Sequence, residues 1–180
     1  FRLNGYDLIL SSSSAWTKNI KKPKEALHIC YCHTPMRYAW DLREFYLQNE
    51  TLLMRPLARI ITKYFRWWDY KNTKNVDAFI ANSKNVQDRI KRYYGRDSTV
   101  IYPPVDTLFY KPSNDDAEDF YLVVSRLIKF KRVDLAIEAC KKLKKKLIVI
   151  GSGREYEQLK KLEDETIKVL GFVPEKDLLR

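Results

Sequence analysis

Two cations five residues apart are the side chains of this sequence best suited to chemistry. Arg126 follows the apolar run Phe120 to Val124, and Lys131 precedes a helical period that begins at Val133. Ligands of open α/β sheets bind outside the carboxyl ends of the strands. Two cations and a helix N-terminus at such an end suit a diphosphate. On spacing alone the alternative stands equally: Arg126 pairs with a carboxylate and Lys131 is solvated. A second group is His33, with Arg37 and Asp41 behind it. A histidine at a strand end can titrate near neutral pH or hold a neutral hydrogen bond, and it can equally be a structural residue paired to backbone. Arg37 and Asp41 can line a cleft or simply pair with each other.

These residues need elements to hold them. The stretch FYLVVSRLIKFKRVDLAIEACKKLKKKLIVIGSG, Phe120 to Gly153, reads as strand, basic turn, helix, strand and glycine turn. The run Phe120 to Val124 suits a strand buried on both faces. Val133, Ile137, Cys140 and Leu143 share a helical face, broadened by Leu135 and Ala136. Leu147 to Ile150 is the second strand, and a further helix opens at Arg154. This is a βαβ unit, and its natural home is a parallel sheet.

Upstream, Tyr6 to Leu10 reads as a strand and Ser11 to Ser14 as a polar turn at its end; serines there can cap a helix or bind an anion, and capping is the expectation. Lys18 to Lys24 reads as a basic loop, and Ala26 to Cys32 as the strand that delivers His33. Over Leu53 to Trp68 a helix is expected, with Pro56 at an early position. Leu53, Leu57, Ile60, Ile61, Tyr64 and Trp68 fall on one face of it, and Arg55, Arg59, Lys63 and Arg66 on the other. A basic amphipathic helix with tryptophans can lie on an anionic membrane, but packing of the apolar face into the core is the commoner outcome and the expectation here. Val76 to Ala81 reads as a strand, Lys84 to Tyr94 as a helix capped by Asn82-Ser83 and stopped by Gly95, and Thr99 to Tyr102 as a short strand. Pro103 to Asp119 reads as a linker that ends in an acidic stretch. The run KKLKKK, Lys141 to Lys146, reads as a solvated helix end favoured by the helix dipole.

The segment VVSRLIKFKRVDLAIEA resembles the donor-site segment of family-4 glycosyltransferases, which have the two-domain GT-B fold, and GSGREYEQLKKL and GFVPEKDLL resemble the next two segments. HICYCHTPMRYAWD, RWWD and VDAFIANSKNVQDRIKRYYGRDSTVIYPPVD are similar to one branch of that family, associated with mannose transfer in surface-polysaccharide synthesis. The resemblance implies an α/β fold with parts of two Rossmann-like domains, both with parallel sheets and both incomplete. Residues 1–102 would form the later part of the acceptor-side domain, 103–119 the linker and 120–180 the first part of the donor domain. It implies that Arg126 and Lys131 hold the donor diphosphate, that Gly151 and Gly153 lie near the donor, and that backbone around Val173 approaches the base. It implies that His33 lies in the interdomain cleft near the transferred sugar, acting by hydrogen bonding and electrostatics. The implied activity is retaining hexosyl transfer from a nucleotide-diphosphate sugar, such as GDP-mannose, to a glycan or lipid-linked acceptor, with no metal and no cofactor. The family's E-x7-E pair would follow Leu179, so these residues alone are expected not to transfer sugar. The location implied is cytoplasmic, with peripheral contact to the inner face of the cell membrane.

Composition sets the outer limits. A chain of 180 residues with 45% hydrophobic and 13% aromatic content is globular. Its net charge of +11 favours anionic partners: phosphates, nucleic acid or an acidic membrane surface. The alternative to the enzyme is therefore a non-catalytic basic α/β module that binds polyanions, although no nucleic-acid recognition motif supports it. A third reading is an interaction domain whose cationic turn makes only structural ion pairs. Two histidines and no carboxylate–histidine motif leave zinc unsupported, and Walker, GxGxxG and serine-hydrolase patterns are missing. No apolar run reaches the roughly 20 residues of a membrane helix. Three cysteines argue against a disulfide scaffold; buried thiols in a reducing compartment are expected.

Overall fold

The computed structural model describes residues 2–112 and 116–178. Residues 113–115 of the expected linker, and 179–180 of the expected donor domain, lie outside it. The chain divides into two compact units, Phe1–Pro104 and Val105–Arg180.

The first unit is a four-stranded parallel sheet in the order β1 (Leu8–Ser13), β2 (Leu27–Cys32), β3 (Ala78–Ala81), β4 (Ser98–Val100). Three helices accompany it: α1 (Arg43–Asn49), α2 (Arg55–Asn72) and α3 (Lys84–Tyr94). The bounds of α3 follow from its ends. The Ser83 hydroxyl accepts the Val86 N–H at 3.3 Å, and Gly95 turns left-handed at φ 67°; a cap of this kind contributes about 1 kcal/mol. Val86, Ile90 and Tyr94 of α3 pack on Cys30, Cys32, Phe79 and Ala81 of the sheet. Burial pushes both thiols up, Cys32 to about 12, so these cysteines are packing groups rather than nucleophiles.

The serine run corrects the reading of a strand-end turn, because Ser11, Ser12 and Ser13 continue β1. Ser11 and Ser13 are buried, where a hydroxyl costs free energy unless it has a partner, and Ser13 Oγ has none among the described residues. For Ser11 that partner is His28, whose Nε2 lies 2.8 Å from Oγ. His28 Nδ1 lies 2.8 Å from the Asn75 carbonyl oxygen. A carbonyl only accepts, so Nδ1 carries a proton, and in the neutral ring that burial favours, Nε2 accepts from the Ser11 hydroxyl. Burial pushes its pKa below the ordinary 6.5. The unfolded chain therefore binds a proton that the folded chain resists. Stability is full above pH 6.5 and is lost as pH falls through the lower, folded value. The urea midpoint of this unit should drop between pH 7.5 and 5.5, and His28→Gln should flatten that drop.

Lys18 also departs from expectation. The basic loop holds it at 0% exposure, 2.6 Å from Asp69 Oδ1, and its Nζ donates to the Ala15 carbonyl at 2.6 Å. Trp40 Nε1 and the Tyr94 hydroxyl donate to Asp69 Oδ2 at 2.8 and 2.7 Å. One buried carboxylate thus joins the loop after β1, the turn after β2, α2 and α3.

This anchorage turns α2 over. Its packed stripe is Ala58, Thr62, Phe65, Arg66 and Asp69, and Arg66 Nε donates to the Ala39 carbonyl at 3.0 Å. Of the apolar face expected in the core, Leu57, Ile60, Ile61 and Tyr64 point outward instead, Ile60 at 67% exposure, while Trp68 is half-buried against Trp16 at 5.1 Å; Leu53 lies in the turn before the helix, also exposed. The preceding α1 has no counterpart in the sequence reading.

The second unit is a three-stranded parallel sheet in the order β5 (Tyr121–Val124), β6 (Leu147–Ile150), β7 (Ile167–Gly171), with α4 (Val133–Leu143) and α5 (Tyr156–Lys160). The helix expected to open at Arg154 begins at Tyr156. Val133, Ile137 and Cys140 of α4 pack on Leu147, Val149, Ile167 and Val169, as the helical and strand periods require. β5 is not buried on both faces. Val123 meets this core, while Tyr121, Leu122 and Val124 are exposed.

Candidate functional site

In the second unit the carboxyl ends of the strands carry the expected donor residues. β5 runs into Ser125 and Arg126, and a 3-10 turn over Lys129–Lys131 leads to α4. The Arg126 and Lys131 side chains are exposed, with no hydrogen-bond or ion-pair partner among the described residues. The neighbouring Arg132 does the opposite: its guanidinium spends itself on Asp134 at 2.9 to 3.1 Å. The pairing proposed as the alternative for Arg126 is thus made by Arg132.

Glycine is required in the turn after β6. Gly151 and Gly153 have φ of 148° and 155°, and an added Cβ would stand 1.8 Å from the Ser125 oxygen and 2.1 Å from the Leu127 oxygen. The two loops are laced by backbone bonds. Leu127 N–H donates to Ser152 at 2.8 Å, Glu155 N–H to Leu127 at 3.0 Å, and Gly151 N–H to Gly171 at 2.7 Å. Val173, half-buried, follows β7 two residues past Gly171. Arg126, Gly151, Gly153 and Val173 therefore leave the same edge of one sheet, and Lys131 stands at the entrance to the helix between β5 and β6.

In the first unit His33 follows β2 and is exposed. Its Nε2 lies 2.7 Å from Ser12 Oγ, its N–H donates to the Ser13 carbonyl at 2.8 Å, and its ring meets Tyr31 edge-on at 5.3 Å. Arg37 Nε donates to Asp41 Oδ2 at 3.1 Å, and Arg89 NH2 stands 3.3 Å from the same oxygen. Asp41 is therefore neutralised within the fold. Arg89 also donates to Thr34 Oγ1 at 3.2 Å, which ties α3 to the histidine turn. Ser12 and Arg89 were not foreseen. The serine run was the only signal for Ser12, and nothing in the sequence pairs Arg89 with Thr34. No group of three or more His, Cys, Asp or Glu residues among the described residues could hold a metal ion.

The sequence model of Glycosyltransferase Family 4 matches residues 1–108, and that of Glycosyl transferases group 1 matches residues 105–180. No curated protein matches the chain. Among solved structures it is similar to a mutant of S. aureus TarM in complex with Fondaparinux, alpha-GlcNAc-glycerol and UDP. The identity is 16% and the TM-score 0.56, over 83% of this chain and 29% of that one. It is also similar to the apo form of the lipopolysaccharide outer core galactosyltransferase WaaB. There the identity is 12% and the TM-score 0.50, over 98% of this chain and 70% of that one. At such identities the likeness shows the fold alone: α/β with two parallel sheets, of the GT-B type.

Proposed function

The chain belongs to glycosyltransferase family 4, and from that premise we propose that it forms part of a retaining hexosyltransferase. Its donor is a nucleotide-diphosphate sugar and its acceptor a glycan or a lipid-linked glycan. The observation that carries the reading is the pair of exposed cations, Arg126 and Lys131, without a polar partner among the described residues, beside a glycine turn at the carboxyl edge of a parallel sheet. The UDP and alpha-GlcNAc-glycerol of the TarM complex support a nucleotide donor and a glycan-type acceptor. Mannose from GDP-mannose rests on the sequence resemblance.

In this reading the bond from the sugar to the diphosphate breaks as the acceptor hydroxyl oxygen bonds to the same carbon. Negative charge grows on the departing diphosphate, where Arg126 and Lys131 stabilise it. The acceptor proton passes to that departing oxygen. The cations supply the charge, so no metal or cofactor enters the scheme. Gly151 and Gly153 let backbone approach the donor, and Val173 lies by the base. His33 orients the transferred sugar by hydrogen bonding, with Arg37 and Asp41 behind it as a positioning pair. The location is cytoplasmic, peripheral on the inner face of the cell membrane; no helix among the described residues is long and apolar enough to cross one.

Calorimetry with GDP and UDP tests the donor site. The chain should bind one of them, and Arg126→Ala and Lys131→Ala should each weaken it by about ten- to a hundredfold, the loss of charge-assisted hydrogen bonds. Binding unchanged in both variants overturns the assignment, and the preferred base names the donor class.

A further inference from the structure

We infer that the outward face of α2 is a docking surface for an anionic phospholipid bilayer. This deepens the peripheral-membrane part of the reading above and rests on that part alone. The packed side of α2 is polar as well as apolar, because it carries Asp69 and Arg66 into the fold. The side left over holds Leu57, Ile60, Ile61, Tyr64 and Trp67, all exposed, and the exposed Leu53 stands in the turn just before the helix. A continuous apolar face of that length, with an aromatic pair suited to the headgroup level, is what an interfacial helix presents.

Charge names the occupant. Residues 51–72 contain five cations, Arg55, Arg59, Lys63, Arg66 and Lys71, and a single carboxylate, Asp69. That carboxylate is buried against Lys18. Arg55 and Arg66 donate to backbone carbonyls of Glu50 and Ala39. Arg59, Lys63 and Lys71 are exposed without an acidic partner among the described residues, and Lys71 lies over the Trp67 ring at 4.8 Å. A cationic rim around an apolar face attracts anionic headgroups and repels a second copy of itself. Beside the face runs an apolar groove of about 450 Å³ between α1 and α2, lined by Tyr38, Tyr46, Leu47, Met54, Leu57 and Ile61, with Glu50 as its one carboxylate. It is wide enough to seat part of an acyl chain once the helix lies in the headgroup layer.

Flotation with vesicles tests this. The chain should float with 1:1 phosphatidylglycerol–phosphatidylcholine vesicles and at least about tenfold more weakly with phosphatidylcholine alone. Ile60→Ser with Trp67→Ser should weaken binding by at least about tenfold through lost insertion. Arg59→Gln with Lys63→Gln should weaken it by about thirtyfold, roughly fivefold for each charge. All four positions point outward, so circular dichroism should show intact folding. No flotation with the anionic vesicles overturns the inference, and so does flotation that Ile60→Ser with Trp67→Ser leaves unchanged. Self-association lost in that double variant, without flotation, would give the face to a second copy and equally overturn it. Nucleotide binding measured in parallel separates the two readings. A chain that binds GDP or UDP but does not float fails this inference only, and one that floats but binds neither fails the donor assignment only.

Discussion

Asp69→Ala is expected to lower the stability of the first unit by about 3–5 kcal/mol, the penalty for leaving a buried charge unpaired. Lys18 and Asp69 are both at 0% side-chain exposure and 2.6 Å apart. Without the carboxylate, the Lys18 ammonium keeps the Ala15 carbonyl and the face of the Tyr94 ring, 5.5 Å away, but has no counter-charge among the described residues. Trp40 Nε1 and the Tyr94 hydroxyl, both of which donate to Asp69, lose their acceptor as well. Urea unfolding followed by tryptophan fluorescence measures this in one unit alone, because Trp16, Trp40, Trp67 and Trp68 all lie within Phe1–Pro104. Lys91→Ala is the matched control. It breaks a pair with Asp97 whose two side chains are 62% and 93% exposed, and its effect should be small beside that of Asp69→Ala. A loss for Asp69→Ala no larger than the control's would show that water reaches the pair, and the anchoring role given to Asp69 would fall. The consequence reaches past stability. Asp69 holds α2 in the orientation that presents its apolar face, so the same variant should also weaken vesicle binding.

Gly151→Ala is expected to cost the second unit about 2–5 kcal/mol and to abolish binding of GDP and UDP. The new Cβ would stand 1.8 Å from the Ser125 carbonyl oxygen, at a φ of 148° that side chains rarely adopt. Backbone has to move, and with it the bonds from Leu127 to Ser152 and from Gly151 to Gly171. Those bonds hold the Arg126 turn against the glycine turn. Gly95→Ala is the contrast: its φ is 67° but nothing lies within 4 Å, so only the left-handed strain of about 1–2 kcal/mol applies. Circular dichroism against urea, with calorimetry on the folded variant, reads both effects. Gly151→Ala binding nucleotide within twofold of the parent would detach the glycine turn from the donor site.

Much of the fold was legible where the deciding forces are local. The helix Lys84 to Tyr94 has its cap and its glycine stop in sequence, and the structure places α3 within those bounds. The strand Leu147 to Ile150 matches as well, because a short apolar run between lysines and glycines has few alternatives. Placement of Arg126, Gly151 and Gly153 after strands followed from the same local pattern.

The departures share one cause. Lys18 and Asp69 lie far apart in sequence, and neither residue type predicts burial without the other. The serine run reads as a turn until His28 appears across β2 to accept from Ser11. Ser12 beside His33 is likewise a product of strand register, since β1 and β2 pair Ser12 with Tyr31 and Ser13 with Cys32. For α2 the periodicity placed Leu57, Ile60, Ile61 and Tyr64 on one face, as the structure has them, but it also put Trp68 there, which packs on Trp16. It carried no information about which way that face turns.

The family resemblance implied two parallel sheets; by itself the residue pattern determined the βαβ unit of Phe120 to Gly153, the helix ends with local caps, and a cationic turn and glycine turn at strand ends. Each of these depends on neighbours within a few residues. The tertiary structure alone decided which charges are buried, which serines bond to histidines, and which face of α2 meets the solvent. Those outcomes depend on groups far apart in sequence that the fold brings together: Asp69 meets Lys18, and Phe65 and Trp68 meet Trp16.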